Sequence, residues 1–299
     1  MLKRLNIYFK EMYPIIPRLF LAVLLFFEMY FIVLLNYGVK EFTLGIQEAV
    51  GVFTIFTFLM FLRIADDFKD YELDCKLFNK RPLPSGRVKK KDLKIVLAIT
   101  LISTIILNVL FMNNIIFFIL LYSYGFLMSV WFFQKTKIQK NLLLAVVTHN
   151  PVQLFINLYT ISYAYIKYGL TEITGIIFLG MLTLYFPALL WEVSRKIRAP
   201  KDETEYETYS KIFGYKKATR FVLILTVVDI ITNILLIQNL MPLMIIPLVL
   251  NLIWMIYKGI KFIKDPTKFK IVDKFEKYTY IQEILMIVTI VIYLVKIGA

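Results

Sequence analysis

The chain has one cysteine, Cys75, among its 299 residues, so no internal disulfide can brace it. Acidic residues are few beside basic ones, 21 against 35, giving a formal net charge of +14. Such an excess on a soluble protein would suggest nucleic acid as a partner. The hydropathy argues against that: 59% of residues are hydrophobic and the mean hydropathy is +0.71, whereas soluble domains run near half apolar. Internal repeats and low-complexity linkers are missing, so one domain over residues 1–299 is expected. No cleavable signal peptide is expected either. The first long apolar run exceeds a signal core and lacks a small-residue cleavage site.

Long apolar runs dominate what is there. Nine stretches, each near the ~20 residues that a bilayer requires, fall at about 18–37, 46–63, 92–111, 115–133, 142–160, 174–192, 220–238, 240–258 and 280–297. The pattern predicts an all-α, polytopic membrane protein. With the N-terminus in the cytoplasm, 32 of the 35 Lys and Arg residues fall in cytoplasmic segments; only Lys40, Lys167 and Lys296 fall outside. Lys and Arg gather on the cytoplasmic side of membrane proteins, so the loops 63–94, 193–220 and 258–280 are expected to share that face.

The first of these loops carries the densest chemistry. Asp66, Asp67, Asp70 and Asp74 close an apolar run, and Lys80-Arg81-Pro82-Leu83-Pro84-Ser85-Gly86-Arg87 follows. On a continuous helix Asp66, Asp70 and Asp74 would share one face. Crowded carboxylates suit a divalent metal, and Mg²⁺ favours one or two carboxylates plus phosphate oxygens. Arg81 and Arg87 offer planar forks for phosphate. A solvated loop whose charges pair among themselves fits the same residues. The second loop opens Glu192-Val193-Ser194-Arg195-Lys196-Ile197-Arg198, with Asp202, Glu203, Tyr206, Tyr209 and Lys211 beyond. Alone it reads as a basic flank that ends a membrane span. Facing the first cluster, it would complete a basin of acids for metal and bases for phosphate.

Asp66-Asp67-Phe68-Lys69-Asp70-Tyr71-Glu72-Leu73-Asp74, followed by Arg81-Pro82-Leu83-Pro84-Ser85-Gly86, resembles the first motif of the UbiA superfamily of intramembrane prenyltransferases. That motif reads N-D-x-x-D-x-x-x-D and then R-P-[LIV]-P-S-G, with Asp66 here at the Asn position. The second family motif, D-x-x-x-D, is only half matched: Glu192 takes the first acid position and Lys196 replaces the second.

The resemblance implies Mg²⁺-dependent transfer of a prenyl group from a polyprenyl diphosphate to a small aromatic or lipidic acceptor within the bilayer. It implies metal ligands among Asp66, Asp70, Asp74 and Glu192. Diphosphate contacts would come from Lys80, Arg81, Arg87, Arg195, Lys196 and Arg198, with Asp67, Asp74, Glu192 and Lys196 acting in the chemistry. Lys196 would contact diphosphate in place of a metal, or Asp202 and Glu203 would supply the missing ligand. A terpene cyclase of the same superfamily, or a transporter or lipid-binding relative, are the competing readings.

Polar residues inside the spans form a further group of candidates. Glu28 and Asp229 lie near the middle of spans one and seven, where ionisable groups are expensive. Each is either functional or a protonated structural carboxyl. His149-Asn150-Pro151 reads as a proton relay on the acceptor side or as a proline kink with its polar neighbours. Asn157 is open in the same way.

Overall fold

The computed structural model describes residues 1–298 and contains helices but no strand among them. In chain order the helices are α1 (Leu2–Glu11), α2 (Ile15–Asn36), α3 (Ile46–Lys69), α4 (Tyr71–Leu77), α5 (Lys90–Phe111), α6 (Ile115–Ser129), α7 (Lys135–Gln139), α8 (Leu142–His149), α9 (Val152–Tyr168), α10 (Gly175–Ser194), α11 (Tyr209–Phe213), α12 (Tyr215–Ile237), α13 (Ile245–Lys264) and α14 (Val272–Ile297). Eight stretches among the described residues are long and apolar enough to cross a bilayer, with α8 and α9 together making one, and α6 is a shorter apolar helix. All nine expected apolar spans are thus helical, in an integral, multi-pass protein.

The differences lie at the ends. The third basic loop contracts because α13 and α14 run on to Lys264 and from Val272, so much of its charge sits on helical turns. Expected to reach residue 133, α6 stops at Ser129, because Trp131, Phe132 and Phe133 take φ of 54°, 48° and 57°. Left-handed backbone is costly for bulky side chains. At 15 residues α6 extends only ~22 Å. Pro151 separates α8 from α9, as its missing N–H requires.

The contacts divide the chain into two compact units. The first comprises Met1–Phe26, Thr43–Lys135 and Leu158–Leu170; the second comprises Phe27–Phe42, Thr136–Asn157 and the chain from Thr171 on. In the first unit α3 packs against α5 and α6. A polar seam joins these helices. Asn108 donates to Thr54 Oγ1 at 2.8 Å, Tyr159 donates to Asn108 Oδ1 at 2.7 Å, and Thr57 meets Thr104 at 3.0 Å. Lipid gives apolar faces no preference for each other, so such hydrogen bonds, worth ~0.6 kcal/mol each on average, help to specify the pairing. Gly125 permits the close approach of α6 to α3: a Cβ there would lie 2.6 Å from the Phe58 ring. On α5, Ile99, Ile102, Ile106 and Val109 face outward, as a lipid-facing helix requires. Under the Arg81–Arg87 loop, Leu5, Tyr8, Ile64, Leu83, Val88 and Leu93 form a buried cluster that ties α1 and the loop to α3 and α5.

In the second unit α12 packs against α10 and α13, and α14 against α10 and α13. Gly259 lets α13 close on α12, where a Cβ would meet Leu223 at 2.6 Å. The buried cluster of this unit runs from Leu190, Val193 and Ile197 through Val222, Met255 and Phe262 to Phe275 and Met286.

Candidate functional site

In the first unit the acidic motif lies where α3 ends. It does not form one continuous helical face. The helix breaks at Asp70 (φ −102°, ψ 10°), which ends α3 and precedes α4. The i→i−4 ladder nevertheless persists, with Asp70 N–H bonded to Asp66 O at 2.9 Å and Asp74 N–H to Asp70 O at 2.9 Å. The break gives the acids different surroundings. Asp66 is 50% exposed and pairs with Lys69 at 2.7 Å. Asp67 is buried, accepting from Tyr8 Oη at 2.6 Å and from Arg63. Asp74 is buried too, and both its oxygens accept from Arg81 Nη1 at 2.9 and 2.8 Å.

Asp70 is the exception. Among the described residues its carboxylate makes no side-chain hydrogen bond or ion pair. Burial pushes its pKa up to about 6; nearby Asp66 and Asp74 add to the rise while Lys69 and Lys135 oppose it. Among the described residues no three acids, His or Cys converge as a complete metal cage. The donor chemistry still fits Mg²⁺: Asp66 is half exposed, Asp70 is uncommitted, and this ion takes one or two carboxylates with phosphate oxygens. Asp74 and Asp67 are held by protein partners.

The Arg81–Arg87 segment is a wound loop. Ser85 N–H bonds to Arg81 O at 3.0 Å, Gly86 N–H to Leu83 O at 3.2 Å, and Val88 N–H to Pro82 O at 3.0 Å. Gly86 takes φ +74°, which a side chain would resist. Arg81 lies over the Phe78 ring at 4.0 Å. Lys80 is exposed and its carbonyl accepts from Arg87 at 2.6 Å. Arg87 also grips Glu11 with both Nη atoms, which holds the Glu11 carboxyl below the usual range.

Reading the sequence missed four members of this site. Lys69 is nearly buried, pairs with Asp66 and lies 4.4 Å from the Trp131 ring centroid. The turn at Trp131–Phe133 brings that ring to the end of α3. Arg63 stands four residues before Asp67, a helical spacing that could have revealed it. Tyr8 and Glu11 come from α1, and no local spacing announces them.

In the second unit, Glu192 lies in the last turn of α10 with both oxygens engaged: Arg195 Nε lies 2.6 Å from one and Lys196 Nζ 2.9 Å from the other. Lys196 is buried and Arg195 is exposed. The expected metal ligand thus pairs with two cations in this structure. The alternative ligand Glu203 is also taken, accepting from Thr208 at 2.7 Å and Ser210 at 2.5 Å. Those bonds fold residues 198–210 back: Ser210 Oγ accepts from Arg198 N–H at 2.8 Å, and Tyr209 N–H bonds to Lys196 O at 2.9 Å. Arg198, Pro200, Glu203, Ser210, Gly214 and Tyr215 line a cavity of about 260 Å³. Gly214, at φ +81°, makes the turn from α11 into α12.

The fold defines a helical, multi-pass membrane protein with charged residues gathered at helix ends. The profile of the UbiA prenyltransferase family matches residues 24–281, and the chain belongs to that family. A solved structure of a digeranylgeranylglyceryl phosphate synthase in membranes has a similar fold, with 19% identity, a TM-score of 0.59 and 98% of each chain covered. No curated protein sequence matches the chain.

Proposed function

We propose that the protein transfers a prenyl group from a polyprenyl diphosphate to an aromatic or lipidic acceptor, acting as one domain with the N-terminus and charged loops on the cytoplasmic side. The observation that carries this reading is the uncommitted Asp70 carboxylate beside half-exposed Asp66, in a chain of the UbiA family. Asp66 and Asp70 would hold Mg²⁺, which would neutralise charge on the departing diphosphate. Lys69, Lys80 and Arg87 offer cations to the same phosphates, and Asp74 positions Arg81 by accepting from its Nη1 with both oxygens. Asp67 with Tyr8 and Arg63 steadies the end of α3.

For the second segment we assign the same ligand class: Arg195, Lys196 and Arg198 bind phosphate oxygens, and Glu192 orients the first two. A charge-neutralised diphosphate leaves with the bonding electrons of the allylic C–O bond. The acceptor's nucleophile then bonds to the allylic carbon and releases its proton.

The test is a radiolabelled allylic diphosphate supplied to purified protein with Mg²⁺, native membrane lipids and candidate aromatic acceptors. Label moving into an acceptor, and lost in Asp70→Asn, is the expected result. Label recovered as a cyclised hydrocarbon would instead identify a cyclase. Turnover retained in Asp70→Asn would refute the assignment.

A further inference from the structure

The two arginines of the loop between α4 and α5 are held by different kinds of partner. Arg81 is bound to Asp74, whose side chain is 8% exposed; Arg87 is bound to Glu11, whose side chain is 42% exposed. Breaking a buried pair strands a charge away from water, whereas an exposed pair contributes little and exchanges partners at small cost. Asp74 is therefore a fixed partner and Glu11 a replaceable one.

The hydrogen bonds at Arg87 separate its partners further. Nε donates to Ser85 Oγ at 3.1 Å and Nη2 to the Lys80 carbonyl at 2.6 Å, both within its own loop. Nη1 and Nη2 donate to the two oxygens of Glu11 at 2.5 and 2.8 Å. The loop's own atoms thus orient the guanidinium plane, and Glu11 reaches it from another helix. A carboxylate with one oxygen on each Nη sits on the fork as two oxygens of a phosphate would.

Glu11 is poorly placed for the stability of its own helix. It is the last residue of α1, where the backbone dipole disfavours an acid. Its position is nevertheless enforced from both sides. Buried Tyr8 donates to Asp67 at 2.6 Å, and buried Tyr13 donates to the Phe56 carbonyl at 2.7 Å, so both flanks are fastened to α3. Arg4 adds a paired contact with Asp92 of α5, at 2.6 and 2.9 Å. The carboxylate is therefore presented to Arg87 by anchored backbone.

We propose that Glu11 is a built-in competitor for the donor's diphosphate at Arg87. Without donor its carboxylate occupies the fork. An arriving diphosphate takes the two Nη atoms and turns Glu11 out to solvent; when the product diphosphate departs, Glu11 returns. Glu11 thereby limits how tightly donor and product are held, and so favours product release. The inference rests on the proposed assignment of Arg87 to phosphate and adds to it a residue that opposes binding.

The test is calorimetric titration of full-length protein in detergent with inorganic diphosphate and Mg²⁺. Wild type is compared with Glu11→Gln, Arg87→Ala and the double variant; Glu11→Ala repeats the comparison with no side chain left to bond Arg87. Removing the Glu11 charge should tighten diphosphate binding about three- to fivefold, as the loss of an exposed competitor allows. Arg87→Ala should weaken binding, and Glu11→Gln should have no effect where Arg87 is already gone. In the radiolabel assay Glu11→Gln should lower donor KM by a similar factor and strengthen inhibition by product diphosphate. A merely structural role for Glu11 predicts the opposite direction, a looser loop and weaker binding. Unchanged, undetectable or weakened diphosphate binding in both Glu11 variants overturns the proposal; if Arg87→Ala still weakens binding, the prenyl-transfer reading stands without it. Tightening that persists in the double variant overturns it too. Tightened binding with no transfer of label keeps the competitor and refutes prenyl transfer alone.

Discussion

Lys196 Nζ lies 2.9 Å from Glu192 Oε1 while Arg195 Nε holds the other oxygen at 2.6 Å. A position where the family pattern has a second acid therefore carries a buried cation, and the first acid is spent on orienting it. Lys196→Met should raise KM for the allylic diphosphate about tenfold, equivalent to roughly 1.4 kcal/mol, with a smaller change in kcat. Lys196→Asp should in addition raise the Mg²⁺ concentration needed for half-maximal rate. A metal titration of both variants checks this; unchanged metal and donor dependence would separate Lys196 from phosphate.

Asp70 ties stability to pH with a definite sign. Its folded pKa of about 6 lies above the ~3.9 of an unfolded Asp, so between those values the folded protein holds more protons than the unfolded one. Metal-free protein should lose stability as pH rises through that window, by on the order of 1–2 kcal/mol after allowance for solvent. Asp70→Asn should therefore melt higher than wild type above about pH 6, and match it below about pH 4, while prenyl transfer is abolished. Parallel melting curves with pH for the two proteins would contradict this.

Arg81 grips buried Asp74 with two hydrogen bonds and covers the Phe78 ring. Arg81→Ala leaves that carboxylate buried without its partner, and a loss of about 2–3 kcal/mol is expected. Arg81→Lys keeps the charge but not the planar group over the Phe78 ring, and should recover only part of it. Denaturation of the two variants in parallel gives the comparison.

The left-handed turn after α6 makes a prediction of the opposite sign. Phe133 sits at φ 57° and is 75% exposed, so it bears backbone cost with little packing to lose. Phe133→Gly should stabilise the protein by about 1 kcal/mol. Trp131→Ala should do the reverse, and should weaken diphosphate binding, because its ring lies against Lys69. Melting temperatures and donor KM distinguish the two effects.

The membrane helices were legible because lipid imposes a simple rule on every residue of a span, and loop charge repeats the signal independently. Ends were less so: the apolar pattern of α6 runs into Trp131-Phe132-Phe133, and only tertiary context turns those residues left-handed. In the site, Arg63 was visible from its helical spacing to Asp67, while Tyr8 and Glu11 reach the loop from α1 across long sequence separations.

The two ends of α3 are electrostatic opposites. At the N-terminus Glu48 accepts from Gly45 N–H at 2.8 Å and pairs with Lys167, where helical N–H groups welcome negative charge. At the other end Asp66 and Asp67 lie in the last turn and Asp70 follows, where the backbone dipole points its negative end. The helix is thus a polarised rod: at its negative end Asp66 and Asp67 are offset by Lys69 and Arg63, and Asp70 alone keeps no ion-pair partner among the described residues. A cation entering there would meet the pull of the carboxylates and of the whole backbone dipole together.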